Sequence, residues 1–283
     1  MPKIENKTSI AILMATYNGE KYLREQIDSI LCQTNKDWTL YIQDDGSKDA
    51  TLDIIKSYDD ERIVLVDVGL TRQGACMNFM SLLNMVESEY YMFCDQDDVW
   101  FENKVELSYE RMKEEELRYG MDKPVLVFSD ASRINANGEV ILEQEFNRKN
   151  WTKEQQLKII EERSNINILR LLTICAGCKM FFNHKVKEVA LPYCNLRYQD
   201  SVIAMAVAEA GGVFSCIMEP LMYYRLHATN TCGVRETSKF EKIKRIRETI
   251  KGQWRFYYLW KIYGGGNFIK FLYYRYRLFV TRF

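Results

Sequence analysis

The sequence lacks the features that mark several common classes of protein. Its 283 residues include no run of about 18 apolar residues, the length that a membrane-spanning helix needs. Residues 1–7 are polar and lack the apolar stretch of a signal peptide, so we expect a cytoplasmic protein. No Walker-type phosphate loop occurs, and no GxGxxG lies near the first predicted strand. These absences argue against P-loop enzymes and dinucleotide-dependent dehydrogenases.

Ligands for a structural zinc ion are also scarce. The chain has only two histidines, His184 and His227, and its single CxxC pair, Cys175 and Cys178, has no second pair to complete a zinc site. The pattern around His184 indicates a surface residue at a helix start. The eight cysteines lie mostly in apolar runs, which is typical of reduced, buried thiols rather than of a disulfide framework.

The zero net charge hides an uneven distribution. Residues 235–283 contain 13 lysines and arginines against three acidic residues, a local net charge of +10. Because the whole chain has 39 basic and 39 acidic residues, the other 234 residues carry −10. We therefore predict a main domain at 1–234 and a basic, aromatic, helical tail at 235–283.

Strand-like apolar runs alternate with helical periodicity through the first hundred residues. The predicted strands are 9–15, 39–43, 63–66 and 90–94, and helices follow at 23–31, 49–58 and 74–86. The second half is less regular, with predicted strands at 125–129, 139–142, 180–182, 213–216 and 221–224, a turn at 135–138 and a helix at 199–210. The alternation predicts an α/β fold of right-handed βαβ units with a mainly parallel sheet.

Polar clusters end three of the predicted strands. They are Thr16-Tyr17-Asn18, Asp44-Asp45 and Asp95-Gln96-Asp97-Asp98. In open α/β sheets ligands bind beyond the carboxyl ends of the strands, so we expect the clusters to meet at one edge.

The acidic cluster is a candidate metal site. Carboxylates as close as Asp95 and Asp97 repel one another unless a cation or a proton lies between them. Mg²⁺ and Mn²⁺ bind through one or two carboxylates together with substrate phosphates, which suits a metal–diphosphate. Without a glycine-rich loop the metal would neutralise most of a diphosphate, helped by Arg72. Taken alone, the cluster is equally compatible with a solvated acidic turn.

Four motifs together resemble glycosyltransferase family 2 in order and spacing, over roughly residues 8–230. The motifs are Ala15-Thr16-Tyr17-Asn18, residues 29–34 (SILCQT), residues 44–51 (DDGSxDxT) and residues 95–100 (DQDDVW). The resemblance implies a GT-A fold, which is a Rossmann-like sheet flanked by helices, here with a C-terminal helical extension. It also implies an inverting mechanism with a nucleotide-sugar donor and Mn²⁺ or Mg²⁺. DQDDVW and the RxHxxN motif at residues 225–230 resemble the rhamnosyltransferase-like branch.

The resemblance also implies roles for the donor-site residues. Ala15 (through its backbone), Thr16, Tyr17 and Asn18 would lie against the base or ribose; the family usually has proline where this chain has Ala15. Asp45 would accept the N3–H of a uracil or thymine. Asp95 would face the ribose beside Gln96, Asp97 would be the main metal ligand, and Asp98 would support it.

Three further positions complete the implied site. Inversion needs a base for the acceptor hydroxyl, and Asp200, opening a helix, matches the family's second acidic residue; it is equally a candidate N-cap. Gly177-Cys178 resembles the segment whose backbone lies near the donor sugar. His227 could complete the metal shell, contact the diphosphate, or serve only as a structural hydrogen bonder.

The tail places basic and aromatic residues at helical spacing, as at 242–247 and 273–279. Basic amphipathic helices of this kind lie on anionic membrane surfaces. We expect peripheral membrane association and no nucleic-acid partner; packing on the main domain and a homodimer contact are the alternatives.

The sequence thus predicts an inverting glycosyltransferase. It would move a sugar from a UDP- or dTDP-sugar, with dTDP-rhamnose a candidate, to a hydroxyl of a glycan or lipid-linked acceptor in cell-surface polysaccharide synthesis. One alternative is a nucleotidylyltransferase, although a glycine-rich basic loop would then follow the first strand. Another is a non-catalytic, membrane-associated sugar-nucleotide-binding module, which would not need both Asp97 and Asp200.

Overall fold

A computed structural model describes residues 3–67, 69, 71–148, 175–193 and 199–228, together with residues 257, 261, 269 and 272. Within these ranges the chain is a mixed α/β domain, as predicted. The predicted tail helices, and the boundary near residue 235, lie outside the described residues. Among the described helices, none is both long enough and apolar enough to cross a membrane.

The centre of the domain is a nine-stranded sheet. Eight strands follow the order β4-β3-β2-β6-β10-β8-β11-β7, and β9 pairs with β8. Their bounds are β2 (Ile10–Thr16), β3 (Trp38–Asp44), β4 (Ile63–Leu65), β6 (Tyr90–Asp95), β7 (Val99–Trp100), β8 (Val125–Ile134), β9 (Val140–Leu142), β10 (Met180–Asn183) and β11 (Val213–Arg225). Two short strands, β1 (Ile4–Glu5) and β5 (Val86–Glu87), form a separate parallel pair.

The first half of the sheet is parallel, as the βαβ alternation predicts. Strands β4, β3, β2 and β6 run in one direction, whereas β10 is antiparallel to both β6 and β8. The central strand β2 is buried along its whole length. Two hydrophobic clusters account for this, one on each face of the sheet.

Seven helices flank the sheet in the described part of the chain. They are α1 (Leu23–Leu31), α2 (Thr51–Lys56), α3 (Ala75–Met85), α4 (Lys104–Tyr119), α5 (Glu145–Arg148), α6 (His184–Ala190) and α7 (Gln199–Glu209). Helix α1 buries Leu23, Ile27 and Ile30, the residues at helical spacing. Asn183 caps α6 by accepting from the N–H of Val186, so the partly exposed His184 begins a helix as predicted.

One prediction for the second half was wrong, and one helix was missed. The separate strands expected at 213–216 and 221–224 are one strand, β11, because the chain stays extended through Pro220 while its register against β8 shifts there. The longest described helix, α4, was not predicted. Its buried side includes Lys104, Ser108 and Glu116 beside only two apolar residues, so its apolar periodicity is weak.

The predicted turn at residues 135–138 is confirmed. It joins the antiparallel strands β8 and β9. The side-chain oxygen of Asn135 accepts from the N–H groups of Asn137 and Glu139, and Gly138 has a φ of +86°.

Candidate active site

The three polar clusters meet at one edge of the sheet, as the topology predicts. Thr16 is paired with Asp44 across β2 and β3, and Ala15 is paired with Asp95 across β2 and β6. The loops that leave these strands therefore begin side by side. The segment Gly177–Lys179 forms a 3₁₀ turn leading into β10. Because β10 is antiparallel to β6, with Phe181 paired with Met92, the turn before β10 lies toward the carboxyl end of β6 and joins the clusters.

The loop after β2 is held by Gln96. The Gln96 side chain accepts from the N–H of Tyr17 at 2.9 Å and donates to the Tyr17 carbonyl at 3.0 Å. Asn18, in the left-handed region at φ 46°, donates from its N–H to Ser47 and accepts from the N–H of Lys48. Gln96 and Asn18 thus organise the loop, while the Tyr17 ring is 51% exposed and free of the core.

The loop after β3 gives its two carboxylates different partners. Asp44 closes its own turn, accepting from the Thr16 hydroxyl and from the N–H groups of Gly46 and Ser47. The buried Asp45 accepts from the N–H of Gln73 and of Gly74, each at 2.8 Å, at the start of α3. Each carboxylate oxygen of Asp45 has a second lone pair, so it can accept one further hydrogen bond. Arg72, exposed and at φ 60°, donates its N–H to the Asp45 carbonyl.

Asp97 and His227 are brought together from positions 130 residues apart. The His227 Nε2 lies 2.7 Å from the Asp97 Oδ2, and the two side chains are 9% and 17% exposed. Without an ion this contact is a hydrogen bond. A carboxylate oxygen is a ligand that Mg²⁺ and Mn²⁺ prefer, and the adjacent imidazole nitrogen offers a second donor atom, so the chemistry of these residues fits the implied metal.

Asp95, which is partly buried, and Asp98, which is fully buried, complete the acidic cluster beside Asp97. Burial, followed by the charges of Asp97 and Asp200, raises the pKa of Asp95 to about 7, against a hydrogen bond from Cys178 that lowers it. Burial raises the pKa of Asp98 well above its usual range. Asp98 is fully buried; its Oδ1 accepts from the N–H of Arg225, and its Oδ2 has no hydrogen-bond partner in the described part of the chain.

Cys178 also approaches these two carboxylates. One ligand atom each from Asp95, Asp98 and Cys178 lie within 4.8 Å of one another. Mg²⁺ and Mn²⁺ prefer oxygen ligands to sulfur, so this group suits them less than Asp97 with His227. Cys175 and Cys178 are both buried, which agrees with a structural role for the CxxC pair.

Asp200 lies beside the Gly177 turn. A Cβ built on Gly177 would lie 3.9 Å from the Asp200 Cβ and 3.8 Å from the ring of Phe93 on β6. Burial raises the pKa of Asp200. The described helix begins one residue earlier, so Asp200 is inside the first turn rather than at the N-cap, and its Oδ1 accepts from the N–H of Ser201 at 2.7 Å.

Three residues around Asp97 and His227 were not assigned a role from the sequence. Arg225 contacts both Tyr22 and Glu25, and the Tyr22 ring lies against the His227 ring. The RxHxxN motif begins at Arg225 and could have pointed to this residue. Nothing in the sequence at the start of α1 pointed to Tyr22 or Glu25.

A mixed sheet with parallel strands β3, β2 and β6, and with polar loops clustered at their carboxyl ends, is the architecture of the GT-A class of glycosyltransferases. The family model described as glycosyl transferase family 2 matches residues 11–189, more than half of the chain. The chain therefore belongs to glycosyltransferase family 2. Membership sets aside both the nucleotidylyltransferase and the non-catalytic module.

Individual relatives agree with the family. The chain is 32% identical over 254 residues to the dTDP-rhamnosyl transferase RfbG of Shigella flexneri, covering 85% of this chain and 80% of RfbG. It is 29% identical over 131 residues to the putative teichuronic acid biosynthesis glycosyltransferase TuaG of Bacillus subtilis, covering 46% of this chain and only about half, 52%, of TuaG.

A solved structure supports the fold. The structure of S. aureus TarS (residues 1–349) in complex with UDP-GlcNAc matches with a TM-score of 0.59 at 15% identity, covering 80% of this chain and 62% of the TarS chain. At this identity the likeness shows the GT-A fold alone.

Proposed function

We propose that this glycosyltransferase transfers a sugar, with inversion, from a UDP- or dTDP-sugar to a hydroxyl of a glycan or lipid-linked acceptor. The observation that carries the proposal is the Asp97–His227 contact of 2.7 Å. It lies at the sheet edge that also holds Asp45, the candidate contact for a pyrimidine base, and the partly buried candidate base Asp200.

The donor side of the proposal rests on the loops after β2 and β3. Asp45 accepts a base N3–H, which uracil and thymine both carry and cytosine lacks. Tyr17 is exposed beside it, where its ring can lie against the base. Ala15 and Asp95 are paired in register, so the Ala15 backbone and the Asp95 carboxyl would face the ribose together. RfbG, a dTDP-rhamnosyl transferase, makes dTDP-rhamnose the first donor to test.

Asp97 and His227 would hold Mn²⁺ or Mg²⁺. The ion supplies positive charge to the leaving diphosphate. An imidazole in the pair favours Mn²⁺, since Mg²⁺ is bound mostly by oxygen. Arg72, exposed at the rim beside Asp45, adds a second positive charge near the diphosphate.

Asp200 would act as the general base. It lies against Gly177, and the Gly177-Cys178 backbone would border the donor sugar. Its charge contributes to the raised pKa of Asp95, in keeping with a place near the donor site. A carboxylate with a raised pKa is a better proton acceptor than an ordinary surface aspartate.

The acceptor and the location are the broader part of the proposal. TuaG is a putative teichuronic acid biosynthesis enzyme, which favours a cell-surface polysaccharide as the product. The net charge of +10 at residues 235–283 would hold the enzyme on the anionic inner face of the cell membrane, beside a lipid-linked acceptor.

A donor panel tests the proposal. The full chain is incubated with Mn²⁺ and each of several UDP- and dTDP-sugars, and release of free nucleotide is followed. We expect turnover with one pyrimidine nucleotide-sugar, its loss on chelation of the metal, and its loss in Asp97→Asn. Asp122→Asn, at an exposed position, is the matched control. If no donor turns over and Asp97→Asn binds UDP and dTDP in the presence of Mn²⁺ as the unaltered chain does, the proposed function is wrong.

A further inference from the structure

We propose that Arg225 is a positioning residue that sets the orientation of Asp97 and His227 toward the metal. The inference rests on the proposed function, because it concerns how the same metal-site pair is held. Arg225 ends β11, and His227 follows two residues later. It is 2% exposed, which is unusual for an arginine in the absence of a specific role.

Arg225 holds the Asp97–Asp98 segment through two bonds. Its Nε donates to the carbonyl oxygen of Asp97 at 2.9 Å, and its backbone N–H donates to the Oδ1 of Asp98 at 3.0 Å. The first bond restrains the peptide plane that follows Asp97, and the second restrains the next side chain. The direction in which the Asp97 carboxylate points is therefore coupled to Arg225.

Tyr22 couples the same arginine to the imidazole. The guanidinium carbon of Arg225 lies 4.7 Å from the centre of the Tyr22 ring, and the His227 ring lies 5.0 Å from it. The Tyr22 hydroxyl donates to the carbonyl of Ala136, which holds the ring in place. Arg225 and His227 thus pack on one aromatic ring, and each contacts Asp97.

The outer end of the guanidinium is paired with Glu25. The Arg225 NH2 group donates to the Glu25 carboxylate, which is 55% exposed. An exposed carboxylate partner is screened by water and contributes little by itself. We therefore assign the positioning role to the Nε bond and not to the ion pair.

Three variants separate the Nε hydrogen bond of Arg225 to Asp97 from the positive charge of the guanidinium. In Arg225→Gln the amide nitrogen occupies the place of the arginine Nε along the side chain, so the donor to Asp97 is kept and the charge is lost. In Arg225→Met a methyl group occupies the same place, so both donor and charge are lost. Arg225→Lys keeps the charge and places a methylene there.

Mn²⁺ binding in the presence of UDP, measured by the electron paramagnetic resonance of free Mn²⁺, tests the role without activity. Losing an outer partner of a metal ligand typically weakens metal binding by about 10- to 100-fold. We expect that loss in Arg225→Met and Arg225→Lys, and binding within about threefold of the unaltered chain in Arg225→Gln and in the control Glu25→Gln. Excess Mn²⁺ should restore turnover in Arg225→Lys.

The outcomes distinguish the two proposals. If the unaltered chain binds no Mn²⁺ with UDP, the proposed metal site fails and this inference fails with it. If it binds Mn²⁺ but Arg225→Gln and Arg225→Met bind equally well, or equally poorly, only the positioning role is overturned. Thermal unfolding of each variant guards against a folding defect. If Arg225→Met does not fold, the comparison of Arg225→Lys with Arg225→Gln decides the matter, since an equal affinity overturns the role.

Discussion

Replacing Asp200 with asparagine should remove transfer while leaving the donor bound. The change is nearly isosteric, and the asparagine oxygen can still accept from the N–H of Ser201, so the first turn of α7 keeps its contact. A partly buried carboxyl whose pKa is raised by desolvation is replaced by a neutral group, so stability should not fall. What is lost is the proton acceptor for the incoming hydroxyl.

The expected size of the effect follows from general-base catalysis. A positioned base contributes about 10²- to 10⁴-fold, which corresponds to about 3 to 5 kcal/mol of the activation barrier. We expect Asp200→Asn to lower kcat/KM for transfer by that factor and to leave the affinity for UDP or dTDP with Mn²⁺ within about threefold. Steady-state transfer and nucleotide binding are measured side by side.

The pH dependence provides a second readout. The base works only when ionised, and burial raises the pKa of Asp200 above its ordinary value of 3.8. Activity should therefore be complete above this raised pKa and be lost as the pH falls through it. Asp200→Asn should lose this acidic limb from its residual profile. If the variant keeps more than about a tenth of the transfer rate, or if the limb is unchanged, Asp200 is not the base.

Three further changes test the donor loops and the tail. Gly19→Ala would place a Cβ 2.3 Å from the Gln96 Oε1 and break the two bonds to Tyr17. Because each hydrogen bond contributes about 1 kcal/mol, we expect the donor KM to rise by up to about thirtyfold. An unchanged KM would refute the role of Gln96 in holding the loop after β2. In Asp45→Asn the new NH2 group faces the N–H of Gln73 or of Gly74, and two donors cannot bond to each other. We therefore expect the affinity for UDP, measured by calorimetry, to fall by about tenfold or more. Retained affinity would contradict the base contact. Replacing the four basic residues of 242–247 with glutamine in the full chain should weaken binding to vesicles with anionic lipid by about two to three orders of magnitude, at about 1 kcal/mol each. Equal sedimentation with the vesicles would remove the membrane role.

An element could be predicted when its pattern of apolar residues is local, and could not when its burial or pairing depends on distant strands. Strands β2 and β6 are continuous apolar runs because both faces are buried, so composition alone identified them. Helix α4 was missed because its buried face includes charged residues whose burial depends on the strands it packs against. The merging of two short runs into β11 depended on pairing with β8, which local sequence does not encode.

The site residues also fall into those that the order along the chain predicts and those that it does not. Asp45, Asp95 and Asp97 follow directly after strands, and parallel strands end at a common edge, so their convergence could be inferred from order along the chain. The role of Gln96 could not be inferred, because its side chain turns back onto Tyr17, 79 residues earlier, and holds the loop. Gln96 was expected to contact the donor, and that contact stays a prediction.

The sequence by itself determined the parallel half of the sheet, the family and the edge at which the donor would bind. These follow from apolar runs and from polar residues at strand ends, which are local along the chain. Only the tertiary structure decided that His227 meets Asp97, that Asp200 lies against Gly177, and that Arg225 holds the Asp97–Asp98 segment. These contacts are not encoded locally, because they depend on the antiparallel placement of β10 beside β6 and on the pairing of β11 with β8.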